Sequence, residues 1–142
     1  MGLKSEEGRL LRGLAFDQQL RFSVALTTPI ANTLFKAHQP SAQGLLALSR
    51  SATAVALISA TLKDRQQIGI QVNGDGPLGE LYAVSTSKGE IRATVHHPQA
   101  SAEPMHELGS AIGEGRFTLI KTSASGAPYR GTVPIFTGGV AE

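Results

Sequence analysis

The sequence predicts an α+β domain in which antiparallel β-sheets pack around a buried, fully apolar central helix. Three observations carry that prediction. Leu20, Phe22, Val24 and Leu26 alternate with Arg21, Ser23 and Ala25, and Ile68, Ile70 and Val72 alternate with Gln67, Gly69 and Gln71, which is the period of a strand. From Ser41 to about Lys63 the apolar residues point in nearly all directions around a helix. Asn73-Gly74-Asp75-Gly76-Pro77 is a dense turn signal following the second alternating run.

Taken in order, residues 9–16 and 20–26 read as two strands around Asp17-Gln18-Gln19. Thr27-Thr28-Pro29 stops the second strand and starts a helix, with Thr28 as N-cap and Pro29 at its first position. Ile30, Thr33, Leu34 and Ala37 follow at helical spacing. Pro40 disfavours helix in the residue before it and ends the segment. Ser41 caps the longer helix, in which Ala52, Ala56 and Ala60 form a small-residue stripe that lets a neighbour approach closely. A helix apolar all round must be covered on all sides, so it is expected to run through the middle of the domain.

The remainder reads as β. The strand through Ile68, Ile70 and Val72 turns at Asn73–Pro77 into a return strand from Leu78 to Val84, and Ile91, Ala93 and Val95 form a third. Arg116 to Thr122 and Tyr129 to Phe136 are two more. Between the third strand and these two, Met105, Leu108 and Ile112 fall at helical intervals, which predicts a short helix within 98–113. No repeat or low-complexity linker divides the chain, so residues 1–142 form one domain.

Length supports a core without staples. The chain has 142 residues and a mass of 14.9 kDa. Surface scaling puts a compact fold of that mass at about 7,000 Å². There is no cysteine. That excludes disulfide scaffolds, thiolate zinc sites, iron–sulfur clusters and thiol nucleophiles within these residues. The balance of 13 basic and 11 acidic residues makes no strong field. Arg9, Arg12 and Arg21 lie in the first hairpin without a basic run or interleaved exposed aromatics, so no nucleic-acid groove is expected. Met1 to Glu7 holds no apolar segment of a secretory signal. The stretch Gly44 to Leu62 is long enough to span a bilayer, but Arg50 would cost about 2–3 kcal/mol near its centre. A soluble, cytoplasmic protein is expected.

The candidate chemical motifs reduce to structure. Asn73 to Gly79 fails as a phosphate cradle, because no Lys-Ser/Thr follows it and it leads into a strand. Pro77 removes an amide that such a loop would use. Gly113-Glu114-Gly115 reads as a turn for the same reason. Adjacent His96 and His97 would point to opposite faces of a strand and could not ligate one ion. His106, with Glu103 or Glu107, completes no ligand spacing, and His38 is remote. No G-x-S-x-G elbow occurs, and Asp64, Asp75 and Glu80 fall at turns or strand ends. No catalytic, cofactor-binding or metal-ligating residue is nominated, and no enzyme is expected. A small-molecule site beside Gly74 to Gly79 would need a concave pocket there.

Longer strings carry a resemblance. Ala60-Thr61-Leu62-Lys63, followed after a polar gap by Ile68-Gly69-Ile70-Gln71-Val72-Asn73-Gly74-Asp75-Gly76-Pro77-Leu78-Gly79, resembles the heat-shock protein 33 family. The likeness continues through Lys88 to Val95, Gly113 to Lys121 and Pro128 to Pro134, and covers about residues 9–142. It implies the core of a redox-regulated, ATP-independent holdase chaperone, whose partners are unfolding polypeptides and a second copy of itself. The alternative is an interaction or scaffold domain of the same fold without chaperone activity. Family members continue into a linker and a zinc domain with C-x-C and C-x-x-C pairs, whose thiolates form the redox switch. This sequence stops at Gly138-Gly139-Val140-Ala141-Glu142, so a truncated core without zinc or other cofactor is expected.

Overall fold

The computed structural model describes residues 8–124 and 126–136. The readings made on Met1 to Glu7 and on Gly138 to Glu142 lie outside them. A hairpin, β1 (Arg9–Ala15) and β2 (Leu20–Leu26), leads into α1 (Thr28–His38) and α2 (Ala42–Ser59). Then come β3 (Gln67–Gly74), β4 (Glu80–Thr86), β5 (Ile91–Val95), α3 (Leu108–Ile112), β6 (Gly115–Ser123) and β7 (Gly126–Ile135). The hairpin is its own two-stranded sheet, and the rest form an antiparallel sheet in the order β5-β4-β3-β6-β7. The α+β class holds.

The core lies between α2 and one face of the larger sheet. Leu48, Val55, Ile68, Ile70, Leu78, Ala83 and Ala111 are almost completely buried there. Small residues on both sides, Ala47 and Ala52 on α2 with Ala83 and Ala93 on the sheet, let the layers approach. Ile68, Ile70 and Val72 are the buried alternating positions of β3. Gly69, on the opposite face, is also buried, because the Tyr82 ring lies over it; a Cβ there would stand 3.2 Å from the Tyr82 hydroxyl.

Several boundaries differ from expectation for local reasons. The N-cap of α1 is Thr27, one residue early, and its hydroxyl bonds Thr53 of α2 at 2.7 Å instead of capping. Ser41 caps α2 as expected, accepting from the Gly44 amide at 3.0 Å. That helix ends at Ser59 rather than near Lys63. The Thr61 and Leu62 amides bond three residues back, to Ile58 and Ser59, which tightens the last turn. Its buried residues form one broad stripe, while Leu45, Leu46, Leu57 and Ile58 are half-buried. The return strand starts at Glu80 because the turn extends through Gly79. Phe16 belongs to the hairpin turn, where Phe16, Asp17 and Gln18 all have positive φ.

Candidate functional site

Among the described residues, fourteen large apolar side chains are exposed, and eight of them lie between Leu10 and Leu26. The hairpin is therefore the place to look for binding.

Register assigns the two faces of the hairpin, since directly paired residues of an antiparallel ladder share a face. Leu11 pairs with Val24, Gly13 with Phe22 and Ala15 with Leu20, and these form one apolar face. Leu11 is 63% and Val24 58% exposed, so this face points away from the body. The Phe22 ring lies across Gly13, where a Cβ would meet the ring at 2.5 Å. The other face carries Leu10, Arg12, Leu14, Arg21, Ser23 and Ala25. It looks toward the end of α2, where Arg12 Nη1 donates to the Ala60 carbonyl at 3.2 Å. Ser23 and Ala25 on that side are half-buried. The alternation of β2 was legible, but the stripe Leu20, Phe22, Val24 and Leu26 faces outward and packs on no core. The available signal was that β1 and β2 together place apolar residues on both faces of a strand pair.

A second apolar surface continues the core face beyond α2. That helix packs on β3, β4 and β5. Phe117 of β6 pairs with Val133 of β7, and Lys121 with Tyr129, on the same side as Val72 and Ile68. Val133 and Tyr129 are exposed, and Phe117 and Leu119 half-buried. Pro128 and Pro134 sit on β7, the edge strand, where a missing amide interrupts no ladder on the outer side.

The glycine-rich turn is a structural joint. The Asp75 amide donates to the Glu114 carbonyl, Gly76 to Ile112 and Leu78 to Ala111. Its amides are thus spent on the segment from α3 to β6, and the clefts found among the described residues open elsewhere.

The histidine pair needs a correction. The strand β5 stops at Val95, so His96 and His97 lie beyond it and stack, with ring centroids 4.1 Å apart. They do not point to opposite faces. Among the described residues no three His, Asp or Glu side chains converge as metal ligands. His106 approaches only its neighbour Glu107, at 3.7 Å on the surface. No helix there is long and apolar enough to cross a membrane.

Fold and surface together define an α+β domain that carries an exposed apolar hairpin beside its long helix, with the amides of its glycine-rich turn bonded internally. The model of the Hsp33 protein family matches residues 8–142, and the chain belongs to that family. The 33 kDa chaperonin of Alkaliphilus oremlandii is 32% identical over 139 residues, covering 94% of this chain and 46% of the relative. That of Staphylococcus aureus is 33% identical, covering 94% and 47%. A crystal structure of the 33 kDa chaperonin (heat shock protein 33 homolog) from Thermotoga maritima superposes with a TM-score of 0.83 at 22% identity, over 94% of this chain and 47% of that one. The chain thus spans about half the length of these relatives, and the structural likeness supports the fold.

Proposed function

We propose that this chain is the core of an ATP-independent holdase chaperone, one that binds unfolding polypeptides in the cytoplasm under heat or oxidative stress and keeps them from aggregating. One observation carries the reading. The exposed large apolar side chains concentrate on one hairpin, whereas scattered exposure is the rule on a monomeric surface. Membership of a family whose relatives are called chaperonins supports it. Unfolding chains expose apolar segments, and an apolar ledge of this kind captures them with no bond made or broken, so neither catalysis nor a cofactor is required. The outer edges of β1 and β2 pair with no other strand among the described residues, which leaves them open to an extended client or to a second copy of the chain.

The test is light scattering of a thermally unfolding client mixed with the 142-residue chain. Suppression at several-fold excess is expected. No suppression under either oxidising or reducing conditions overturns the reading. Because the chain spans about half of its relatives, the alternative is an interaction domain, which would bind a longer relative and suppress nothing.

A further inference from the structure

The body-facing side of the hairpin carries a charge pattern that the apolar ledge does not explain. Arg12 pairs with Ser23 and Leu14 with Arg21, so the two arginines are diagonal neighbours on one face. Sheet geometry places such neighbours about 7–8 Å apart. Both line a cleft of about 460 Å³ between the hairpin and the end of α2, together with Leu14, Phe22, Ala60 and Thr61. No acidic residue lines the cleft, and no carboxylate among the described residues lies within 4.0 Å of either guanidinium. Arg12 makes one bond, to the Ala60 carbonyl, leaving most of its five donors available. Two neighbouring cations without a counter-ion repel on a sheet face. An arriving carboxylate relieves that repulsion and matches the guanidinium fork.

We propose that this cleft selects, among unfolding polypeptides, segments in which Asp or Glu side chains alternate with apolar ones. The inference rests on the client-binding reading and names the chemistry of the preferred client. The carboxylates sit between Arg12 and Arg21, and the flanking apolar side chains rest on Leu14, which shares that face of the hairpin. A nucleic acid fits less well. Its affinity comes from several phosphates neutralised along a stripe, and this cleft offers two guanidiniums against apolar walls.

The experiment measures fluorescence anisotropy of short labelled peptides with the 142-residue chain. One peptide alternates Glu with Leu and Val, a second carries Gln in place of Glu, and a third Lys. A single-stranded oligonucleotide completes the set. The Glu peptide is expected to bind about tenfold tighter than the Gln peptide, as for one or two charge-assisted bonds, and the Lys peptide more weakly than either. The pair Arg12→Gln and Arg21→Gln is expected to bring the Glu peptide to the affinity of the Gln peptide. Arg21→Gln alone leaves the Ala60 bond in place and is expected to lose part of the discrimination, so a misfolded double variant does not end the test. Equal binding of Glu and Gln peptides overturns the inference, as does discrimination unchanged in the arginine variants or tighter binding of the oligonucleotide. Aggregation suppression without peptide discrimination overturns this inference and leaves the chaperone reading standing. Discrimination without suppression does the reverse.

Discussion

The Asp75 carboxylate accepts the backbone N–H of Glu114 at 2.7 Å, and this bond joins the β3–β4 turn to the entry of β6. Around it the Asp75 amide returns a bond of 2.9 Å to the Glu114 carbonyl, and Gly76 donates to Ile112 at 2.9 Å. Gly113 lies inside this joint with φ +75°, and a Cβ there would run into Asp75 Oδ1 and stand 2.6 Å from the Gly76 nitrogen. Backbone cannot step aside as a flexible side chain can.

Three substitutions at the joint are expected to rank by mechanism. Gly113→Ala combines a left-handed backbone with a backbone clash and is expected to cost about 3 kcal/mol. Asp75→Ala removes a charge-assisted acceptor on the surface and is expected to cost about 1–2 kcal/mol. Asp75→Asn keeps an acceptor oxygen and costs less. Urea unfolding midpoints check the order; an Asp75→Ala midpoint unchanged from that of the parent would show that the bond contributes nothing.

Gln43 is the buried polar centre of the segment after β5. It is 1% exposed. Its Oε1 accepts from the Ala102 amide at 2.8 Å, and its Nε2 lies 2.7 Å from the Glu107 carbonyl and 3.0 Å from that of Ala102. An amide has two hydrogens, so these two carbonyls are its best acceptors. Gln43→Leu leaves the loop groups without partners and is expected to cost about 2–4 kcal/mol. Gln43→Glu keeps the acceptor but turns a carboxylate toward two carbonyls, so its loss is expected to be greater. Thermal unfolding of both variants checks this. A Glu variant more stable than the Leu variant would contradict the assignment of Nε2 as donor.

The sequence made the large sheet legible because both of its signals are local. The alternation at Ile68, Ile70 and Val72 has a fixed period, and the turn at Asn73 to Pro77 has a fixed chemistry. Ser41 as a cap was readable for the same reason. What was not readable depended on contacts distant in sequence. Thr27 was missed as a cap because its hydroxyl goes to Thr53, twenty-six positions away. His96 and His97 stack because β5 ends at Val95, and the end of a strand is set by its neighbours. The candidate site was hidden most thoroughly of all. Periodicity says that Leu20, Phe22, Val24 and Leu26 share a face, and says nothing of whether that face meets a core or solvent.

That outward face can be changed with little effect on folding. Leu11 and Val24 are directly paired and exposed, so replacing both by Ser removes one cross-strand pair and is expected to shift stability by less than about 1 kcal/mol. Aggregation suppression is expected to fall severalfold, because the middle of the apolar ledge is gone. Light scattering beside a urea titration separates the two effects. Full suppression by Leu11→Ser with Val24→Ser would move client capture to the Tyr129 and Val133 surface.

Oxidation supplies the last prediction. Switching by thiol–disulfide exchange needs two sulfur atoms that can bond, and this chain has no cysteine. Its two methionines offer only the sulfoxide step. Met105 is 48% exposed, but it lies in the segment held by Gln43 rather than on the hairpin. Peroxide is therefore expected to add oxygen at methionine, visible by mass spectrometry, and to leave aggregation suppression unchanged. Dithiothreitol is expected to change nothing either. A gain of activity on peroxide treatment would require an oxidant-sensitive element in the hairpin or its cleft, and the side chains there are aliphatic, aromatic, hydroxyl, guanidinium, carboxylate and amide groups with no sulfur among them.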